Sequence, residues 1–533
     1  EAAAVRAADS LAFERAAEWL AMALRLGTHD AARRRGLLVA RADALTHAGH
    51  PHDAGLAFLE ASRTGDPDSF EQRDLRRRAA ERLLAGGYTV EGMEVARALL
   101  AEVGLHWPES GGAALRSLFW LHVRTGASWL RWRPRSEAEL SAEQKLRLDT
   151  CWSAAIGLSM VDSMRASVFA FRALLMTLAA GDPRRIACAL SGGAFAAAGM
   201  NQHRRLRRLT AAIARAAADT DAPEAHCYVA LADAARAYFV DNDWPATCDI
   251  SQRGLETWTA AGRGHTWEVD LFEQFVGWGH STAGDYREAA DHAERVQRGA
   301  RRRGDRFIEV GFRVQFPQRY MLDHCAEDGI RDVDDALASW PAADGVEQIS
   351  NPFYWGWRSR TMLALYTGRA EADAEYIEEG RRRIEHSLLW RVPAIRLDVS
   401  VWAGAWSLTR AAEARRAGTS AVRTHLGEAR RRLAVIAASP LPARVSSIHS
   451  FRAVIAHLED RPDKAVAELR EAIDAFEALH MIGPAMAARW RLGALLGGDE
   501  GAALLERARG WLRGIRAARP EQIVAVAMPG IGS

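Results

Sequence analysis

Apolar residues recur along most of this chain at helical spacing, i, i+3, i+4 and i+7, and Gly, Asp or Pro interrupts the pattern about every 12 to 20 residues. No long alternating stretch is present, so strands are not expected. The prediction is an all-α chain of helices of ordinary length joined by tight polar turns.

The helices also repeat. In residues 37–62, LLVARADALTHAGHPHDAGLAFLEAS, take the turn residue Gly49 as origin. Ala42 lies seven before it and Leu45 four before; Ala54, Phe58 and Ala61 lie five, nine and twelve after. Small residues at the outer offsets let two antiparallel helices approach closely, and large ones fill the gaps between them. The same register returns around Asp460 with Ala453, Ala465, Leu469 and Ala472, although Ala456 stands where a large residue is usual. Around Gly284 it returns with Ala289 after the turn and Gly277 before it. Weaker copies centre on Gly87, Gly181, Asn242, Gly368 and Gly498, and Asn242 is followed by Thr247 and Ser251 at the small positions.

This spacing resembles the tetratricopeptide repeat. A period of roughly 34 residues would give about 15 helical pairs as an upper bound, with degenerate pairs between the recognisable ones. No such pair buries its apolar face alone, so the resemblance implies a continuous right-handed α-α superhelix, a solenoid and not a row of globules. Possible breaks fall at Pro134, at Pro341 and at Ser439–Pro442. They divide the chain into repeats 1–133, 134–340, 341–438 after a Pro/Trp-rich connection, and 439–533, whose last residues, VAMPGIGS, lack periodicity and are expected to fray.

Composition narrows the function. Forty-nine percent of residues are hydrophobic, which excludes a disordered chain. The net charge is +2, from 70 basic and 68 acidic residues, which argues against a chain-wide nucleic-acid footprint. Lys145 and Lys464 are the only lysines, so positive charge is carried by arginine; a GC-rich genome explains that as well as a demand for guanidinium does. Five cysteines, none in C-x-x-C spacing, read as small buried hydrophobes in a reducing cytoplasm. The longest uncharged stretch, Ile186 to His203, is too weakly apolar for a membrane span. The chain opens at Glu1 on an alanine-rich helix, as a piece of a longer protein would.

Catalytic motifs are not found. The sequence has no G-x-x-x-x-G-K-[ST], no H-R-D or D-F-G, no G-x-S-x-G and no H-E-x-x-H. His47, His50 and His52 are spaced closely enough to suggest zinc, but they straddle a repeat turn and read first as solvated loop residues. No catalytic residue, metal ligand or cofactor is therefore expected, while an enzyme site assembled from scattered residues stays open. Arginine runs recur at Arg33–Arg35, Arg76–Arg78, Arg204–Arg208, Arg301–Arg303, Arg381–Arg383 and Arg430–Arg432. They read as solvated helix faces; the alternative is a basic inner groove for an acidic or phosphorylated segment. Among the 18 tryptophans, Trp129, Arg131, Trp132 and Arg133 form one Arg/Trp cluster, and Tyr354, Trp355 and Trp357 another beside Phe353. These rings fill gaps between helices or anchor a partner.

Three segments carry a wider resemblance: 11–27 (LAFERAAEWLAMALRLG), 76–110 (RRRAAERLLAGGYTVEGMEVARALLAEVGLHWPES) and 149–199 (beginning DTCWSAAIGLSMVDSMRASVFAFRALLMTLAAGDP). They resemble the C-terminal helical region of large bacterial serine/threonine protein kinases of the myxobacterial type. In that family a kinase domain and an AAA/STAND-like ATPase module precede the repeats. The resemblance implies a non-catalytic sensor or scaffold arm acting on a protein or peptide partner, or on an upstream kinase or ATPase in cis. It transfers no functional residue. Similar regions follow ATPase-linked transcription regulators and adenylate cyclases, and that alternative remains.

Overall fold

The computed structural model describes residues 1–127, 130–159, 162–262, 264–323, 325–340 and 350–531. Among them are twenty-seven α-helices, two 3-10 turns and one π-helical segment, and no strand. The starts of the helices follow local chemistry. Asp30, Ser69, Asp182 and Asp243 each accept a backbone N–H of the first turn, and Pro51, Pro183, Pro393, Pro462 and Pro520 open helices where no N–H donor is needed. The ends follow the turns. Gly49, Gly87, Gly181, Asn242, Gly284, Gly368 and Asp460 all have φ between +54° and +90°, the left-handed region in which helices stop, whereas Gly498, at φ +58°, opens the helix Gly498–Gly514.

Helices pack first on their chain neighbours, as antiparallel hairpins, and then on the next hairpin; Pro183–Gly199, for instance, packs on both His203–Ala218 and Glu224–Arg236. Ala42, Ala54, Ala61, Ala289, Ala453, Ala465, Leu469 and Ala472 are fully buried, and Phe58 and Leu45 nearly so. Thr247 and Ser251 are equally buried. Their hydroxyls donate to carbonyls one turn back in the same helix, 2.7 Å away in each case, so polar side chains occupy these small positions without an unmet donor. Ala61→Leu is expected to cost about 2 kcal/mol by overpacking, while Ala211→Leu on an exposed helix face costs almost nothing; urea unfolding of the two variants measures the difference.

The result is an all-α superhelix of tetratricopeptide type whose successive turns touch. In an open solenoid each repeat meets only its neighbours. Here the His265 N–H donates to the His47 carbonyl (3.1 Å) and the Arg306 N–H to the Gly86 carbonyl (3.1 Å). The Tyr88 hydroxyl donates to the Gly304 carbonyl, 216 residues away, at 3.1 Å. One turn further on, the Ala443 N–H donates to Asn242 Oδ1 across 201 residues (3.0 Å), and Arg287 Nε to the Ile515 carbonyl across 228 (3.3 Å). A turn of the superhelix thus takes a little over 200 residues, and two seams close it on itself.

The end of the chain corrects one expectation. Residues 520–531 do not fray. Pro520–Ala527 is a helix packed on Asn351–Thr367 and Ile482–Leu496. Met528 and Ile531 are buried, and the Met528 carbonyl accepts from Arg491 Nε at 3.0 Å. Eight residues are too few for a helical period to show, but Val524, Val526, Met528 and Ile531 carry enough apolar surface to be held inside. The expectations that fell on Trp129 and on Pro341 lie outside the described residues.

One buried histidine makes stability depend on pH. His292 is 4% exposed; its Nε2–H donates to the Glu273 carbonyl at 2.8 Å, and Nδ1 accepts from Arg295 at 2.8 Å. Burial holds its pKa down at about 4. The unfolded chain takes up this proton near 6.5 and the folded chain only near 4, so stability falls as pH drops through that window. His292→Phe should flatten the decline, as read from urea midpoints at pH 7, 5.5 and 4.5; an unchanged slope would remove His292 as its source.

Candidate functional site

The superhelix surrounds a lumen of about 1540 Å³ that is partly open to solvent. A short π-helical turn, Ala237–Asp241, shapes one wall. Such a turn inserts an extra residue and re-aims side chains; here Tyr238 and Phe239 line the lumen. Phe195 packs edge-on to Phe239 (5.4 Å between centroids), Phe275 and Tyr238 lie 5.4 Å from Trp278, and Trp355 lies 6.4 Å from Trp278. Asn242, at the end of the π turn, donates to the Tyr238 carbonyl at 2.9 Å and accepts from Ala443, so the aromatic wall is tied to the seam.

A polar girdle crosses these rings. Tyr354 and Arg358 stand one turn apart on Asn351–Thr367 and face Asp398 of Pro393–Arg416. The Tyr354 hydroxyl donates to Asp398 Oδ2 (2.7 Å) and Trp402 Nε1 to Oδ1 (3.1 Å); Arg358 Nε lies 3.4 Å from Oδ1. Burial first, and the Asp398 charge second, push the Tyr354 phenol well above its ordinary pKa. Burial opposes the Arg358 charge, but Asp398 and the surrounding tyrosines outweigh it and hold the guanidinium above its ordinary value. Both Asp398 oxygens are engaged, and Tyr354 and Arg358 are each shifted away from neutral pH. The girdle is built to hold a fixed charge pair and not to exchange protons.

Two glutamines complete it. Gln315 accepts from Trp278 Nε1 (2.5 Å) through Oε1, and its Nε2 has no partner among the described residues. Gln318 donates to Ser281 Oγ (2.6 Å), and its Oε1 has none. Each is 1% exposed, and both line the lumen. One donor and one acceptor are thus left without a partner among the described residues, both buried just behind the lumen wall.

Of the aromatic residues singled out from sequence, Tyr354 and Trp355 line the lumen. Trp357 points the other way, fully buried, its Nε1 donating to the Ile377 carbonyl at 2.9 Å. Trp132 is half-buried under Arg215, whose guanidinium sits 4.2 Å from the ring centroid, while Arg131 and Arg133 are exposed. The three histidines near Gly49 do not converge. His47 stacks on Phe13 at 4.9 Å, His52 on Tyr88 at 4.0 Å, and His50 lies 3.6 Å from Glu14. A different trio, His265, Asp270 and Asp305, brings its ligand atoms within 4.8 Å of one another. Arg303 Nη2 is already 2.8 Å from His265 Nε2 there, and supplies the positive charge. Burial and the neighbouring Asp270 charge raise the Asp305 pKa. Arg358, Asp398, Gln315 and Gln318 were not legible beforehand, because nothing in their local spacing distinguishes them from surface residues. The arginine runs read first as solvated helix faces; of the six, Arg204–Arg208 borders the lumen, where Arg204, Arg205 and Arg208 line it with Arg215.

No family model matches the chain. No curated protein matches it either. Among solved structures, the crystal structure of yeast Tom70 is similar at 12% identity and a TM-score of 0.30, covering 95% of this chain and 97% of that one. A circular tandem repeat protein with a novel repeat topology is similar at 15% identity and a TM-score of 0.13, covering 98% and 94%. Identities and scores this low carry no argument about function. No helix among the described residues is long and apolar enough to cross a membrane.

Proposed function

We propose that this chain is a non-catalytic recognition and regulatory module that binds a protein or peptide segment in its lumen. The observation that carries the reading is the lumen itself: a large, mostly apolar cavity crossed by the Arg358–Asp398 charge pair, which Tyr354 and Trp402 hold in place. Concave, mostly apolar surfaces with a few placed polar groups are where ligands are held. The Tyr354–Asp398–Trp402 hydrogen bonds commit the girdle to fixed contacts rather than to proton transfer. The resemblance of segments 11–27, 76–110 and 149–199 supports a sensor arm of a bacterial kinase–ATPase signalling protein, placed in the cytoplasm, where five free thiols are unremarkable. A bound segment would regulate such a protein only if it preferred one arrangement of the superhelix.

A peptide-display selection on the purified chain tests this. Peptides that bind should lose affinity for Gly192→Trp, which places a ring in the lumen where the nearest atom to a new Cβ is 3.5 Å away, on Trp152. Binders indifferent to that change, no binders at all, or ATP turnover by the chain would overturn the reading.

A further inference from the structure

Six arginine runs stand out in the sequence, and the structure separates one from the other five. Arg33, Arg34 and Arg35 pair with Glu1, Glu60 and Glu71. Arg76, Arg77 and Arg78 pair with Glu102, Asp74 and Asp43. Arg301 pairs with Glu309, Arg381 with Glu385, Arg382 with Glu379, Arg430 with Glu459, and Arg431 and Arg432 with Glu428. These are solvated or inter-helix ion pairs of the ordinary kind. The run Arg204–Arg208 makes no ion pair among the described residues, nor does Arg215 on the same helix, and this is the run that lines the lumen.

The geometry is that of a ladder. Arg204, Arg208 and Arg215 follow one another at i, i+4 and i+11 on His203–Ala218, which puts them on one face over about 16 Å. All three are exposed on the face that borders the cavity. Arg205 turns beside them onto Phe171, 5.7 Å from the ring centroid. Burial alone lowers its pKa, with no carboxylate to offset it. Across the lumen the carboxylates are Asp270 and Asp398. Asp270 is held by His265 at 2.7 Å, and Asp398 is saturated. The cavity is therefore positive along one edge and has no free counter-charge of its own.

We propose that this helix is the docking edge for an acidic peptide segment, whose carboxylates are taken by Arg204, Arg208 and Arg215 and whose apolar side chains enter the aromatic part of the lumen. The first step, about 6 Å, matches alternate side chains of an extended peptide, about 6.6 Å apart, and the second, about 10.5 Å, is a distance that long flexible arginine side chains span between carboxylates further along it. Guanidinium is the group that grips carboxylates by a two-pronged hydrogen bond. A nucleic acid fits less well. It needs free aromatic faces for stacking, and the rings beside the ladder, Phe171 and Trp132, are already capped by Arg205 and Arg215. The proposal rests on the lumen being the recognition surface, and narrows it to one edge and one partner chemistry.

Fluorescence anisotropy with a labelled peptide of alternating Glu and Leu, about twelve residues long, tests it. The same peptide with Gln for Glu, and a single-stranded oligonucleotide, serve as competitors. The Glu peptide is expected to bind at least about tenfold more tightly than the Gln peptide, to weaken as salt rises, and to resist the oligonucleotide. Replacing Arg204, Arg208 and Arg215 together by Gln should abolish the preference for Glu over Gln, and replacing Arg204 and Arg208 alone should weaken it with the melting temperature unchanged, since those two are exposed whereas Arg215 also covers Trp132 and donates to the Leu130 carbonyl at 3.1 Å. Replacing the ion-paired Arg33 and Arg34 by Gln should leave it intact. Equal binding of the Glu and Gln peptides to the unaltered chain overturns the proposal whether or not the triple variant folds. So does displacement by the oligonucleotide. If display selection yields lumen-dependent peptides that are not acidic, the lumen survives as the recognition surface and this edge falls; if it yields none, the broader reading falls first.

Discussion

Gly284→Ala should destabilise the chain by about 3 kcal/mol or more, while Gly368→Ala should cost only about 1 kcal/mol. The two glycines do the same local work. Each ends a helix in the left-handed region, Gly284 at φ +90° and Gly368 at φ +72°, where an alanine costs about 1–2 kcal/mol of backbone strain. They differ in what lies beyond. A Cβ on Gly368 would meet nothing within 4 Å. A Cβ on Gly284 would stand 2.3 Å from the Gly483 nitrogen and 2.4 Å from its Cα, backbone atoms of the next superhelical turn that have no side-chain torsion by which to yield. The seam would have to part, and with it the Tyr286–Trp511 edge contact at 5.9 Å and the Arg287–Ile515 hydrogen bond. Thermal unfolding of both variants gives the comparison, and hydrogen exchange across Ile482–Leu496 should quicken in Gly284→Ala alone. Equal losses in the two variants would mean that the superhelical turns do not touch in solution.

That contrast marks where sequence reasoning reaches and where it stops. Turn residues and small positions are encoded within about twenty neighbours. Gly49 with Ala42 and Ala54, or Asp460 with Ala453 and Ala465, can be read off the chain because helix period and helix-stop chemistry are local properties. The helical class follows from them. The seams do not. Gly284 reads as one more turn glycine, and nothing near it or near Gly483 states that the two backbones meet. The closure depends on the small rotation that each repeat adds to the last, accumulated over some 200 residues, and no single residue type carries that angle.

The lumen was legible in part for the same reason. An arginine run can be seen in sequence, but whether it faces solvent, a carboxylate or a cavity is decided by its neighbours in space. Arg76–Arg78 and Arg204–Arg208 look alike as strings; one meets Glu102, Asp74 and Asp43, and the other borders a mostly apolar cavity and pairs with no carboxylate among the described residues. The girdle of Arg358, Asp398, Gln315 and Gln318 is assembled from four helices and lay beyond local inspection. The buried tail erred in the other direction: short aperiodic segments read as loose ends, yet apolar content alone is enough to seat residues 526–531 inside a superhelix that has room for them.

Arg185→Met should cost about 3–5 kcal/mol, against no more than about 1 kcal/mol for Arg34→Ala. Arg34 and Glu60 are an exposed pair, each side chain nearly half accessible, and water replaces either partner readily. Arg185 sits among three carboxylates with its side chain 9% exposed. Its Nε and Nη2 make a fork to Asp149 at 2.7 and 2.8 Å, and Nη1 reaches Glu137 at 3.0 Å and the buried Asp182. Asp182 also caps the Pro183–Gly199 helix by accepting from the Arg184 and Arg185 backbone. Burial alone would disfavour the Arg185 charge, but Asp149 and Asp182 outweigh it and hold the guanidinium above its ordinary pKa. Methionine keeps most of the volume and leaves the carboxylates facing one another without a cation, and that residue of unpaired charge is the source of the loss. The account makes a second demand. Asp149→Leu combined with Arg185→Met removes charge on both sides, and should recover part of the stability that the single change loses, as a double-mutant cycle in urea would register. Arg185→Lys, which retains the charge without the fork, should fall between the parent and Arg185→Met. If Arg185→Met were as mild as Arg34→Ala, the cluster would be solvated in solution, and the 137–185 region would not be the rigid wall from which the Pro183–Gly199 and His203–Ala218 helices present their faces to the lumen.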